Sequence, residues 1–455
     1  MSPFYLALLH LACVGEPPSE NGPEATTQPP LQADGDLDSA EELEPSAELC
    51  DDGLDNDRDG LTDASDPDCP LAGETATSVA DVTVEGTGRA VLDVDGDGVK
   101  DLLYRERVEG TNPYRAIDWQ GNALSFYLMP PDEKSLSLSG DLTGDGIEDW
   151  FTTEWSMEDG TGVVEIFAGP LTGYEDAAPA HIWGQPDMEV GMLHAVPDLD
   201  ADGSPDLLAV YGEPGGGLYL LSSSNADGTN IGDEHIAYLE NDAAGYLGAA
   251  VETGDLDGDG VSELVVWDRD WPEPFYNQLG RLLIIPSTVT GDLPVSDAAE
   301  AVLVSETVTY RAIRDFAVVE DLTGDGLDDL LVALAMDGAV LLEGSALLGE
   351  LGMDDMTAAA HTRYTPSWVS GVAAAGDVDG DGRGDVALDL GDDGDFGENR
   401  VVLYVEASGG SLAESEATLS VASAWSFSGG FDADSDGLAE LVFAEANSLF
   451  LFYGR

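Results

Sequence analysis

The stretch Gly254-Asp255-Leu256-Asp257-Gly258-Asp259-Gly260-Val261-Ser262-Glu263-Leu264 leaves this chain few choices of fold. It follows the pattern D-x-D-x-D-G-x-x-[DE], with acidic side chains at positions 1, 3, 5 and 9 of a nine-residue loop. Alternate oxygen-bearing side chains converge on one point when such a loop curls. Gly260 at position 6 permits the positive φ of the sharp turn, and the carbonyl of Val261 at position 7 adds a further oxygen. Hard oxygen donors in a flexible loop suit calcium; a transition metal would call for His or Cys. One copy could be a solvated acidic turn. The chain carries eight.

Seven of the eight recur at a steady interval. Their first residues are Asp93, Asp141, Asp198, Asp255, Asp321, Asp377 and Asp432, separated by 48, 57, 57, 66, 56 and 55 residues. Each loop follows a run of apolar or small residues, such as Gly248-Ala249-Ala250-Val251 or Val372-Ala373-Ala374-Ala375. A β-rich run follows it: Leu264-Val265-Val266-Trp267, Leu330-Leu331-Val332-Ala333 or Leu441-Val442-Phe443. A third run comes next, as in Arg281-Leu282-Leu283-Ile284-Ile285, and a fourth precedes the next loop, as in Ala301-Val302-Leu303-Val304. Four short strands per unit, seven times over, predict an all-β chain folded as a seven-bladed β-propeller of four-stranded blades over residues 75–455.

The loops grade themselves by composition. Expected donors are Asp93, Asp95, Asp97, Val99 and Asp101 in the first loop, and Asp141, Thr143, Asp145, Ile147 and Asp149 in the second. The third offers Asp198, Asp200, Asp202, Ser204 and Asp206; the fourth offers Asp255, Asp257, Asp259, Val261 and Glu263. Asp321, Thr323, Asp325, Leu327 and Asp329 form the fifth set. The sixth set is Asp377, Asp379, Asp381, Arg383 and Asp385, and the seventh is Asp432, Asp434, Asp436, Leu438 and Glu440. Position-7 residues contribute carbonyls, and the apolar side chains of Val99, Ile147, Leu327 and Leu438 are expected to pack inward. Thr143 and Thr323 at position 3 each remove a carboxylate and predict weaker binding.

These residues carry a family likeness. Tyr246-Leu247-Gly248-Ala249-Ala250-Val251 followed by Gly254-Asp255-Leu256-Asp257-Gly258-Asp259-Gly260 resembles the FG-GAP repeats of the integrin alpha-chain propeller and related bacterial calcium-loop repeats. Tyr211-Gly212-Glu213-Pro214 with Gly217-Leu218-Tyr219-Leu220 stands where the GAP half would lie. The resemblance implies that each loop joins the first and second strands of a blade, with all the calcium sites on one face. The last unit stops after its third run, Ser448-Leu449-Phe450-Leu451-Phe452-Tyr453, and Thr77 to Val84 precedes the first loop without a unit of its own. That segment is predicted to supply the missing fourth strand of the seventh blade.

The N-terminal part reads differently. Phe4 to Ala12 is a short apolar core ending at Cys13, so residues 1–13 are expected to act as an export signal. A Cys in that place resembles the lipidated Cys13 of a bacterial lipoprotein; plain secretion is the alternative. Localisation is expected to be the outer membrane or cell surface, or secreted. Residues 14–48, rich in Pro, Glu, Asp, Ser and Ala, are expected to be a disordered tether. Residues 49–70 hold the eighth loop, Asp55, Asp57, Asp59 and Asp63, between Cys50 and Cys69. They resemble a small Cys-bracketed metal-binding motif of secreted bacterial proteins. With Cys13 lipidated, a Cys50–Cys69 disulfide would leave no odd thiol; an acidic spacer is the alternative.

Charge narrows the partners. The chain has 15 Lys+Arg against 92 Asp+Glu, a formal net charge of -77, which disfavours nucleic acid and anionic membranes. Contact with a membrane is expected only through a lipid anchor. Arg383-Gly384-Asp385 spells RGD, but Asp385 is position 9 of a calcium loop. His181, His194, His235 and His361 lack metalloprotease spacing, and no nucleophile elbow is present, so no enzyme is expected. The longest unit places Trp267, Trp271, Phe275 and Tyr276 between its second and third strands, at the end opposite the calcium loops. Aromatic rings beside acidic groups suit a protein or glycan ligand. The expectation is a monomeric, calcium-stabilised interaction or adhesion module, with a lectin and a polysaccharide-degrading enzyme as alternatives.

Overall fold

The computed structural model describes residues 71–452 with breaks. Those of six residues or more are 76–81, 107–113, 125–134, 139–148, 155–162, 170–179, 184–189, 223–228, 272–279, 305–312, 392–399 and 413–418. The expected signal, tether and Cys-bracketed motif, with Cys13, Cys50, Cys69, Asp55, Asp57, Asp59 and Asp63, lie outside the described residues. Among the described residues the chain is all-β and propeller-like. The described strands form seven sheets, numbered here 1 to 7 in chain order, and the α-helices among the described residues are the short Val295–Ala298 and Met353–Ala359.

Sheet 4 shows how sequence becomes architecture. Leu247–Gly254, Glu263–Asp268, Arg281–Ile285 and Ala301–Val304 pair in succession, all antiparallel. Every residue of the second and third strands is buried. A sheet packed on both faces needs apolar residues in unbroken runs, which is why Leu264-Val265-Val266-Trp267 and Leu282-Leu283-Ile284-Ile285 do not alternate with polar residues. The same layout recurs in sheet 5, where Asp329–Leu334 and Gly338–Leu342 are the fully buried strands.

Sheets 2 to 6 pack face to face in chain order. Leu208, Val210 and Leu239 of sheet 3 meet Leu247, Leu264 and Leu283 of sheet 4. Val265, Leu282 and Leu303 of sheet 4 meet Phe316, Leu330 and Val340 of sheet 5, and the next joint sets Leu331 and Tyr364 against Leu388 and Tyr404. The last sheet packs on the first: Val442, Leu449 and Leu451 lie against Leu102, Ile117 and Trp119.

Among the described residues five of the sheets have five strands where four were expected. The excursion between the third and fourth strands of sheet 4, Gly291–Pro294, lies parallel along Ala237–Glu240 as a fifth strand of sheet 3. Gly349–Gly352 does the same for Ala301–Val304, Gly410–Leu412 for Thr362–Tyr364, and Thr229–Asn230 for Ala180–Trp183. Units 3, 4, 5 and 6 thus each hand a strand to the one before.

The N-terminal strands complete this scheme. Val82–Glu85 pairs antiparallel with Ser448–Phe452, so the segment ahead of the first loop does extend the last sheet. Leu71–Thr75 lies parallel to Leu419–Ala422 as the fifth strand of sheet 6. Among the described residues the sheet structure starts at Leu71, with 75 the boundary expected from sequence. One N-terminal stretch does for the last unit what a third-to-fourth connection does elsewhere.

His194, on the first strand of sheet 3, is 7% exposed, and burial pushes its imidazole from 6.5 down to about 4. The folded chain refuses a proton that the unfolded chain accepts below pH 6.5. The stability from keeping this ring neutral is therefore present above pH 6.5 and is lost as pH falls through about 4. The full loss is roughly 3 kcal/mol. His194→Gln is expected to narrow its stability gap to the parent between pH 7 and pH 4.5 in urea melts. A gap of constant size would refute the assignment.

Candidate metal centres and the facing loop

The fourth loop is described in full. Asp255 accepts from Gly258 N at 2.8 Å through Oδ1 and from Gly260 N at 3.1 Å through Oδ2. Asp257 Oδ1 accepts from Asp259 N at 2.9 Å, and Asp259 Oδ1 from Val261 N at 2.8 Å. These short-range bonds curl the loop and bring Asp255 and Asp257 to Glu263, whereas the expected donor Asp259 is exposed and is not among the converging oxygens. Gly260 takes φ +87°, as the tight turn requires, and position 4 adds a second left-handed glycine, Gly258 at φ +80°.

Asp255, Asp257 and Glu263 bring ligand-capable oxygens within 4.8 Å of one another. Burial chiefly, and then the charges of Asp257, Asp259 and Asp255, push the Glu263 carboxyl up to about 7, against the bond from Leu256 N that favours its ionised form. Carboxylates held this close repel unless a cation sits among them. The donors are all oxygen, and carboxylate oxygens that already accept an N–H keep a second lone pair. The set fits a hard divalent ion such as calcium.

Position 9 unites the seven loops. Asp101, Asp149, Asp206, Glu263, Asp329, Asp385 and Glu440 are each 4% exposed or less, at or beside the start of the second strand of their sheets. In three loops that carboxylate accepts from the backbone N–H of position 2: Leu199 to Asp206 at 2.8 Å, Leu256 to Glu263 at 2.9 Å and Val378 to Asp385 at 2.7 Å. In the fifth loop the donors move to Thr323, whose N reaches Asp329 Oδ2 at 2.8 Å and whose Oγ1 reaches Oδ1 at 3.2 Å. Burial first, then Asp325, raises Asp329 to about 6.

Position 1 keeps its role as well. Asp321 Oδ2 accepts from Gly326 N at 2.9 Å and Asp432 Oδ2 from Gly437 N at 3.0 Å, matching Asp255 and Gly260. Asp377 Oδ1 takes Gly380 N at 2.7 Å, and Asp93 Oδ1 takes Asp97 N at 3.1 Å. At position 5, Asp97 Oδ1 accepts from Val99 N at 2.9 Å and Asp325 Oδ1 from Leu327 N at 3.0 Å. Asp198, Ser204 and Arg383 are also described. Asp95, Asp141, Thr143, Asp145, Ile147, Asp200, Asp202, Asp379, Asp381, Asp434 and Asp436 lie outside the described residues.

Among the described position-7 side chains, Leu327 and Leu438 turn sideways to a neighbouring loop, and Ile147 lies outside the described residues. Val261 is 38% exposed. Leu327 and Leu438 lie sideways against Gly258 and Gly380 of the preceding loops, where an added Cβ would come within 2.6 and 2.8 Å of their methyls. A nine-residue loop leaves this residue outside the sheet, so its neighbour is the preceding loop. Asp385, at 1% exposure, keeps the acid of the RGD tripeptide off the surface, while Arg383 is exposed.

Register places Asp268 and Arg281 opposite each other at the far end of sheet 4 from Glu263, so the 269–280 loop does leave the end away from the acidic loops. Trp267 is not a surface ligand residue. It is 6% exposed, in the core between sheets 4 and 5, with its ring edge-on to Phe316 at 6.4 Å. It occupies the penultimate position of a strand whose residues are all buried. Trp271 stands at the base of the loop, where Gly280 N donates to its carbonyl at 3.1 Å. The Arg281 guanidinium lies over the Trp271 ring at 5.4 Å and bridges Asp242 at 2.6 Å and Asp268 at 3.1 Å. Asp268 is fully buried and needs this cation. Sequence reasoning passed over Arg281; its signal was a lone Arg opening an apolar strand. Phe275 and Tyr276 lie outside the described residues.

Comparison with known proteins places one full repeat. Residues 198–266 match the family model of an FG-GAP-like repeat. This span runs from the third loop into the second strand of sheet 4. No curated protein matches. Among solved structures, BBS1N in complex with ARL6DN is similar in crystals soaked with mercury and with lead. Identity is 11% and 12%, covering 82% and 83% of this chain and 93% and 94% of those chains, and the TM-score is 0.47 in both cases.

Proposed function

We propose that this chain, whose FG-GAP-like repeat spans residues 198–266, is a calcium-held, seven-bladed β-propeller that serves as an exported interaction module. The observation that carries the reading is the buried position-9 acid in every one of the seven loops. Seven separate loops, each rich in acids by sequence, sink a carboxylate at one end of a sheet, and a buried carboxylate in such a loop needs a cation. Calcium supplies charge neutralisation and a rigid oxygen cage when bound. The chain supplies Asp255, Asp257 and Glu263 around one point, with their backbone hydrogen bonds holding the loop curled. The seven sheets, with sheets 2 to 6 packed in chain order and the last packed on the first, are read as the blades.

With one face given to metal loops, the opposite face is free for a partner. Trp271, held by Arg281 over a strand end, is the described ring best placed to contact a protein there. The test is capture by the immobilised, calcium-loaded protein, compared with two variants. Trp271→Ala is expected to lose the captured partner while its melting curve stays within about 1 kcal/mol of the parent. Trp267→Ala is expected to destabilise by roughly 3–5 kcal/mol. Equal capture by parent and Trp271→Ala would remove the assigned face. Selective binding on a glycan array would replace the protein partner with a sugar.

A further inference from the structure

Neighbouring acidic loops are bonded to each other as well as to their own sheets. Asp328, at position 8 of the fifth loop, donates its N–H to the Asp255 carbonyl at 3.0 Å and accepts the Asp255 N–H on Oδ2 at 2.8 Å. The two residues are locked by a reciprocal pair of hydrogen bonds. The seventh loop repeats half of this arrangement on the sixth: Ala439 N donates to the Asp377 carbonyl at 2.7 Å. The glycine ahead of position 1 makes room in both places. A Cβ on Gly254 would meet Asp328 Oδ2 at 2.7 Å, and one on Gly376 would meet the Ala439 Cβ at 2.5 Å. Leu327 against Gly258 and Leu438 against Gly380 close the same two seams.

From this geometry we infer that the loops take up calcium as coupled neighbours, with Asp328 as the positioning residue that ties loop 255–263 to loop 321–329. The inference rests on the calcium reading above. Asp328 sits between Leu327 and Asp329, two expected donors of its own loop, so filling that loop fixes Asp328 from both sides. Asp328 in turn fixes both backbone groups of Asp255, the first donor of the neighbouring loop. An empty acidic loop must lose conformational freedom before it can bind, and a neighbour that already holds residue 255 removes part of that cost. Coupling free energies are reciprocal, so filling either loop strengthens the other. Loops 377–385 and 432–440 show the backbone bond, but Ala439 at position 8 has no carboxylate to return the second bond, so their coupling is the weaker.

The experiment follows amide hydrogen exchange of Gly258 and Gly260, the two N–H groups held by Asp255, during calcium titration of the full chain. The double variant Asp321→Asn/Asp325→Asn disables the fifth loop without touching the fourth. Coupling of ordinary size predicts that the protection midpoint of Gly258 and Gly260 moves to about 5-fold higher calcium or more. Asp328→Ala is expected to move it in the same direction, and Asp328→Asn, which keeps an oxygen acceptor, to restore most of it. Asp93→Asn/Asp97→Asn in the first loop is expected to leave it in place. A parent midpoint unchanged by the fifth-loop variant would overturn the coupling and leave calcium binding standing. A parent that gains no protection from calcium would overturn both.

Discussion

Chelation of calcium is expected to lower the Tm of this protein by more than about 10 °C. At free calcium of about ten times the dissociation constant, each site adds about 1.4 kcal/mol. Seven sites then total on the order of 10 kcal/mol, as much as the whole stability of an ordinary domain. The penalty in the metal-free state is visible at position 9. Burial and the neighbouring aspartates raise Glu263 from 4.5 to about 7, and burial with Asp325 raises Asp329 from 3.8 to about 6. A carboxyl raised in the folded state favours folding while it stays protonated, below its unfolded value, and loses that contribution as pH rises through the folded value. The chelated protein is therefore expected to be more stable at pH 5 than at pH 8, with calcium reversing the order. Magnesium, which demands a small octahedral shell and keeps its waters, is expected to restore little. Calorimetric scans with chelator, calcium and magnesium at both pH values decide this. A melt indifferent to chelator would end the metal-dependent reading.

What the sequence disclosed and what it hid follow from the same physics. Strands buried on both faces need long apolar runs, so Glu263–Asp268 and Arg281–Ile285 stand out from their neighbours. The loops stand out because converging oxygens impose a fixed spacing. The glycine at position 4 was equally visible as a letter. Its reason, the approach of Leu327 from the next loop, is a contact between residues far apart in the chain.

The exchanged fifth strands left almost no trace. Gly291–Pro294 and Gly410–Leu412 are short, glycine-opened and largely exposed, and they bury too little to impose a pattern. That character suits a sheet edge, since a short strand carrying Gly, Asp292 and Pro294 offers a poor template for another chain. Trp267 was misplaced for a related reason. Trp-Asp-Arg-Asp-Trp-Pro reads as a polar loop, yet its first two residues finish a buried strand, and Asp268 is tolerated there only because Arg281 lies opposite it in register.

Deleting residues 71–85 is expected to abolish cooperative melting and to produce aggregation. Leu71–Thr75 covers Leu419–Ala422, and Val82–Glu85 covers Ser448–Phe452, so one deletion bares two sheet edges. The second edge is the more damaging. Leu449 and Leu451 are buried there, and with Val84 they pack on Leu102 and Trp119, which join the last sheet to the first. Losing Val82–Glu85 thus opens the joint at which the series of packed sheets returns to its beginning. Each of the other joints is continuous in the chain, so none can substitute for it. Thr83→Pro, which removes the N–H of a residue in register with Phe450, is expected to act in the same direction at smaller cost. If the strands act as the clasp, a synthetic peptide spanning 71–85 should restore a cooperative transition to the shortened chain. A single sharp transition after deletion, at the parent's Tm and without the peptide, would show that the sheets hold together without it.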